Sequence, residues 1–196
     1  VEQPVSKTYN SPAASLKLIN DGFIRKSIGN TENSVFRQGD YYGGIGVFNN
    51  GGEDINATWS LVPYNATSGL FFIHMSDTPA ILSAENESEF ERFYTKFKDD
   101  AEYNPDLMRI VALIDKIADM GALERYFRPE GKLNDSVCAL PVIQSKLRLY
   151  CLRLSDKILI LGNGGVKKTR TYNEDDTLKG YVLTLQNFEK LIREGE

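Results

Sequence analysis

Lys146-Leu-Arg-Leu-Tyr-Cys-Leu-Arg-Leu154, then Ile158-Leu-Ile-Leu161, then Val166-Lys-Lys-Thr-Arg-Thr-Tyr172: this run decides the fold. Its first two segments read as strands, and Ser155-Asp156 between them is short enough to turn a hairpin spanning Lys146–Leu154 and Lys157–Leu161. The alternation in the first strand slips. Leu147, Leu149 and Cys151 share one phase, whereas Leu152 and Leu154 hold the other, and a β-bulge near Cys151 reconciles them. The third segment brings Lys167, Lys168 and Arg170 together with Tyr172. The whole chain has a formal net charge of −4, so this basic patch stands out against its background. It points to an anionic partner, with RNA or phosphate as the leading candidates.

Working outward, the 196 residues suffice for one full domain, or a domain with a sizeable extension. Ordinary apolar content and plentiful aromatics indicate a folded globular protein. An acidic chain is not a default binder of long duplex DNA, although a local cationic site remains compatible with nucleic acid. Cys138 and Cys151 both lie in apolar strand-like contexts without a CxxC spacing, which reads as buried free thiols. His74 is the single histidine, so catalysis by a histidine pair and a multi-histidine metal site are both disfavoured; it reads as a structural or surface residue. No metal or other cofactor is expected. No segment is long and apolar enough to span a membrane. The chain opens on the polar Val-Glu-Gln-Pro, so the expected location is the cytoplasm, with a signal removed before this start left open.

Residues 1–68 read as an N-terminal extension or small subdomain, and residues 69–196 as the main domain. In the extension, Ser11-Pro12 and the spacing of Leu16, Ile19 and Phe23 predict a helix over 12–27. The Gly/Asn-rich part that follows holds short apolar pieces, Gly44–Phe48 and Thr58–Val62, around the turn signal Asn49-Asn-Gly-Gly52. In the main domain, Leu70–His74 reads as a strand. Ser83–Asp99 reads as a helix with Phe90, Phe93 and Phe97 on one stripe, and its start is rich in acidic residues. Asn104-Pro-Asp106 opens a second helix with the stripe Leu107, Ile110, Val111, Ile114 and Ile117, ending near Met120-Gly121. Val137–Val142 is a further strand that Pro141 marks as an edge or a bulge. Gly162-Asn-Gly-Gly165 lacks the length and the ending of a P-loop and reads as a turn or strand bend. Leu178–Ile192 closes the chain as a helix.

This order of elements, with the three segments Lys146–Tyr150, Ile158–Leu161 and Val166–Tyr172, resembles the RelE/HigB-like toxin superfamily of bacterial toxin–antitoxin systems. The resemblance spans about residues 70–196. It implies an α+β fold in which a helical pair packs on a curled antiparallel sheet of about four strands. It also implies metal-independent mRNA cleavage, in many members at the ribosome, restrained by an antitoxin protein. Carried over by position, Arg148 matches the strand arginine of the ribonuclease members, Lys167, Lys168 and Arg170 fall in the later basic segment, and Tyr172 matches the C-terminal aromatic loosely. Two departures stand against this. Cys138-Ala-Leu-Pro141 occupies the place of a strand that carries an arginine in many relatives, and residues 1–68 have no counterpart in a minimal toxin.

Cleavage without a metal needs cations to stabilise charge on the phosphoryl oxygens as the 2′-hydroxyl attacks. Arginine supplies a planar fork and lysine a compact charge. Arg148, Lys168, Arg170 and Tyr172 are therefore the candidate catalytic residues, and Lys146, Tyr150 and Lys167 the candidate RNA-binding residues. Arg148 and Tyr150 share a strand face; if the last segment is also a strand, Lys168, Arg170 and Tyr172 share another. No general base stands out; Glu174 and Asp175 are the nearest carboxylates. Lys and Arg alternating with Leu equally describe a half-exposed strand whose lysines protect a sheet edge. Two alternatives follow: a catalytically inactive protein- or RNA-binding module of the same fold, and an unrelated secreted globular protein.

Overall fold

Every residue from Ile158 to Gly165 is buried, which requires a strand covered on both faces. The computed structural model describes residues 6–8, 41–50, 53–64, 68–76, 87–130 and 136–193. Strands β1 (Ser6–Thr8), β2 (Tyr41–Asn50), β3 (Glu53–Pro63) and β4 (Leu70–Ser76) come first. Helices α1 (Glu89–Phe97) and α2 (Asn104–Met120) follow, then a 3-10 turn at Glu124–Tyr126. Next are β5 (Arg128–Pro129), β6 (Val137–Pro141), β7 (Leu147–Ser155) and β8 (Ile158–Val166). A second 3-10 turn at Tyr172–Glu174 leads into α3 (Asp176–Arg193). The helix expected over 12–27 lies outside the described residues, as do residues 83–86 of the next one.

The α+β class holds, but the expected curled antiparallel sheet of four strands is wrong. The central sheet has the order β4-β8-β7-β6-β5 and is open, neither curled nor closed. It is mixed, because β4 pairs parallel with β8 (Leu70 with Leu159, Phe72 with Leu161) while the other neighbours within it are antiparallel. Beyond β4 the sheet continues through β3, β2 and β1. The hairpin signal around Ser155-Asp156 fixes only one neighbour of β8. Its other edge is taken by β4 after a connection that includes both α1 and α2, the kind of long crossover that parallel pairing demands.

Helices cover both faces. Phe93, Leu107, Ile110, Ile114 and Ile117 of α1 and α2 pack over Leu147, Leu149, Cys151, Leu159 and Leu161. Leu178, Val182, Leu185 and Phe188 of α3 pack over Tyr150, Leu152, Ile158 and Ile160 on the other side. This explains the phase slip in β7. Leu147, Leu149 and Cys151 face the helical pair and Leu152 faces α3, so the alternation runs on without a break. A register shift does occur beside Cys151, between Leu149–Gly164 and Cys151–Leu161, but the extra residue is in β8. Gly162-Asn-Gly-Gly165 is thus part of a strand rather than a turn. A Cβ at Gly164 would sit 1.9 Å from the Arg148 carbonyl oxygen, so the two backbones close together only because glycine stands there.

Local chemistry sets the helices. The Ser88 hydroxyl accepts from the Glu91 amide (3.1 Å) and the Glu91 carboxylate accepts from the Ser88 amide (2.7 Å), a reciprocal cap that starts α1. Pro105 sits in the first turn of α2, and Gly121, at φ 94°, ends it. Directly after that, the Ala122 amide donates to the Asp156 carbonyl (2.6 Å), tying the end of α2 to the β7–β8 turn. Cys138 and Cys151 are register partners in β6 and β7, and both are buried thiols outside any disulfide. Pro141 pairs with Arg148 on β7, beyond the two residues of β6 that β5 covers.

Candidate functional site

Register and alternation bring several polar side chains to the α3 face of the sheet, beside the start of α3. Tyr150 pairs with Ala139 and Arg148 with Pro141 across β6–β7. Ala139 in turn pairs with Arg128 of β5, and the Glu130 amide extends that ladder by donating to the Val137 carbonyl (3.2 Å). Val137, Ala139, Tyr150 and Leu152 all belong to the core under α3, so Arg148 and Glu130, in step with them, lie on the same face. Lys167 extends β8 by one residue, its amide donating to the Lys146 carbonyl (2.8 Å). Its ammonium stands 3.9 Å from a Glu130 carboxylate oxygen, and both side chains are largely buried.

Three atoms in this cluster are buried without a hydrogen-bond partner: Glu130 Oε1, Arg148 Nε and Tyr150 Oη. Tyr150 is 0% and Glu130 8% exposed. Arg148 is half-buried, and its Nη1 donates to the carbonyls of Ser145 (2.7 Å) and Leu147 (2.9 Å). Burial pushes the Tyr150 phenol well above the ordinary tyrosine range; Glu130 adds to the shift, Arg148 opposes it, and Asp175 and Tyr172 add smaller effects. Tyr172 and Asp175 therefore stand within electrostatic reach of Tyr150. Asp175 itself caps α3, its carboxylate accepting from the amides of Thr177 and Leu178.

The remaining predicted cations lie outside this cluster. Lys146, Lys168 and Arg170 are exposed, and Tyr172 packs partly against the α3-side core. The segment after Val166 is not a strand, so the expected sharing of a strand face by Lys168, Arg170 and Tyr172 does not arise. The Thr169 hydroxyl donates to the Thr171 carbonyl (2.6 Å) and the Thr171 hydroxyl to the Glu174 carboxylate (3.1 Å). These local bonds offer the chain an alternative to the sheet ladder. Nothing local in Arg128-Pro-Glu-Gly131 marks Glu130 as part of the cluster. Its place depends on which strand β5 joins, a long-range pairing without local signal.

A second polar network lies where β4 and β8 stop pairing. The Lys96 ammonium donates to Asn163 Oδ1 (3.1 Å), the Gly164 carbonyl (2.8 Å) and the Tyr181 hydroxyl (3.0 Å). Asn163 in turn donates to the Glu89 carboxylate (3.1 Å). Lys96 thus links α1, the glycine-rich part of β8 and α3, and its donors are all engaged in holding them. His74 is buried on β4, 2% exposed, rather than at the surface. Among the described residues no group of three or more His, Cys, Asp or Glu side chains is arranged to hold a metal ion, and no helix is long and apolar enough to cross a membrane. No protein-family model, curated protein or solved structure matches this chain.

Proposed function

We propose that this protein acts on RNA as a metal-independent endoribonuclease of the RelE/HigB-like toxin type, in the cytoplasm and under the control of an antitoxin partner. The observation that supports the reading is that Arg148 and Tyr172 lie within electrostatic reach of the buried Tyr150, with Lys167 3.9 Å from the neighbouring Glu130, while Lys146, Lys168 and Arg170 remain exposed and available to a phosphate. In the reaction the ribose 2′-oxygen bonds to phosphorus and the bond from phosphorus to the 5′-oxygen breaks. A 2′,3′-cyclic phosphate and a 5′-hydroxyl result, with the proton of the 2′-hydroxyl balanced by the one the leaving oxygen gains. Lys168 and Arg170 draw in the phosphodiester, and Arg148 steadies charge that grows on the phosphoryl oxygens. Tyr172 stacks on a base.

The test is tightly controlled expression in bacteria, read as growth and as the integrity of messenger RNA. Growth arrest with cleaved transcripts is expected from the natural chain, and loss of both from an Arg148→Ala, Lys168→Ala, Arg170→Ala triple variant. Undiminished arrest by the folded triple variant would remove these residues from the chemistry. A second reading, a non-catalytic RNA- or protein-binding module of the same fold, is favoured by one feature: the Arg148 guanidinium already spends Nη1 on two main-chain carbonyls. RNA binding without arrest or cleavage is its signature.

A further inference from the structure

Two outliers of this molecule stand side by side in the turn between β6 and β7. Ile143 is 86% exposed, and among the described residues the next large apolar side chain in that order, Met120, is 56% exposed. Gln144 has a φ of 64° and is the one described residue other than glycine with a positive φ. The Ser145 amide donates to the Val142 carbonyl (3.0 Å), so Ile143 and Gln144 form the corner of a closed turn. Such corners ordinarily carry Gly, Pro, Asn, Asp or Ser, and the position with positive φ favours glycine. Ile143 and Gln144 break both preferences. A lone exposed apolar residue needs no explanation. One set on a strained corner, with no gain to the fold, marks a functional position.

The turn is firmly held. The Ser145 hydroxyl accepts from the Leu147 amide (2.9 Å), and Arg148 Nη1 donates to the carbonyls of Ser145 (2.7 Å) and Leu147 (2.9 Å). Val142 is buried and roots the turn in the core under α1 and α2. Ile143 thus stands on a fixed support, which lowers the ordering cost of binding. Its surroundings are cationic. Lys146 is exposed, and the Lys167 amide donates to the Lys146 carbonyl (2.8 Å), so the exposed Lys168 that follows leaves β8 on the side of this turn. From Val137 to Asn173 the sequence holds a single carboxylate, Asp156, and that lies at the other end of β7.

We infer that the Val142–Ser145 turn is a docking knob for a protein partner that offers an apolar pocket rimmed by carboxylates, with Ile143 as the anchor and Lys146 and Lys168 as the flanking charges. An apolar anchor in a desolvated pocket, with complementary charges at the rim, is how protein surfaces hold one another. Unpaired RNA bases are taken up by flat aromatic or guanidinium groups, and isoleucine is neither. One branched side chain buries too little to hold a protein on a lipid surface. Docking here needs no ribonuclease activity.

The experiment selects peptides from a random library displayed on phage against the full chain, then measures binding of the selected peptides, fluorescently labelled, by anisotropy. Peptides that set an apolar residue among Asp and Glu are expected. Their affinity is expected to fall about tenfold or more in Ile143→Ser, the scale of an interface anchor, and to fall also in a Lys146→Ala, Lys168→Ala double variant and with added salt. Ile143→Ser is expected to keep the thermal midpoint of the natural chain, and a clear drop would make Ile143 part of the core and overturn the inference. It is equally overturned by selected peptides that bind Ile143→Ser as well as the natural chain, by peptides without carboxylates, or by a failure to select any. A short single-stranded RNA is the second probe: RNA affinity lost in Ile143→Ser while peptide binding persists hands the turn to nucleic acid and removes the protein partner.

Discussion

At the residue scale, the most telling position is Tyr150. A phenol wholly out of water keeps its proton longer than an exposed one, and the neighbouring Glu130 carboxylate strengthens this. Tyr64 behaves alike for a different reason. Its hydroxyl donates to the Asp115 carboxylate, and that bond, with partial burial, pushes its pKa up to about 12. Both pKa values are raised in the folded state, so both phenols favour folding at pH values below the ordinary tyrosine pKa of about 10. That contribution is lost as the pH rises through the folded-state values. Absorbance titration at alkaline pH is expected to show late-titrating tyrosines, one of them lost in Tyr64→Phe and another in Tyr150→Phe. Denaturant midpoints of the natural chain are expected to fall above a pH of about 10, and less steeply in the variants. Two tyrosines titrating with the rest would contradict the placement of both.

At the element scale, β8 shows how a glycine-rich string becomes a central strand. At Gly164 the facing β7 backbone leaves space for a hydrogen and nothing larger. Gly164→Ala is expected to destabilise by more than about 2 kcal/mol, since the methyl group meets a carbonyl oxygen that cannot move without breaking the ladder. Urea denaturation measures this, and a change within about 0.5 kcal/mol, the range for neutral surface positions, would count against the close approach. The element reading also shows how far local pattern reaches. The α2 stripe was legible because Leu107, Ile110, Ile114 and Ile117 recur at helical spacing and all four are buried. The capping box at Ser88 is as local, and the reciprocal bond with Glu91 sets the first turn of α1 at Glu89.

At the scale of the whole molecule, the N-terminal strands and the main sheet are continuous. β3 pairs with β4 over Pro63–Phe71 to Thr58–Ser76, six register partners. A chain beginning at residue 69 therefore has β4 as a bare edge, with its backbone donors and acceptors unpaired and Phe71 and Ile73 beside them. Such a chain is expected to aggregate or to form dimers through that edge, measured by size-exclusion chromatography with light scattering against the full chain. A soluble, monomeric product with the same thermal midpoint would mean that β1–β3 add nothing to the sheet's integrity. Lys146 leads into β7 and Arg148 lies on it, across β8 from β4, so this test is separate from any assay of activity.

The sequence by itself determined the helices of the main domain, the β7–β8 hairpin and the buried thiols, because each follows from contacts a few residues apart: caps, turns and apolar spacing. It also placed Arg148 and Tyr150 on one strand face, since alternation along β7 is a local property. Only the tertiary structure decided that the sheet is mixed and open, that α3 covers the face opposite α1 and α2, and that β8 is central. It alone brought Glu130 to Tyr150 and took Lys168 and Arg170 out of the sheet. The reason is physical. A strand's apolar pattern states that its faces are buried but not which strand pairs with it, and that choice is made by the packing of helices and crossovers far apart in the chain.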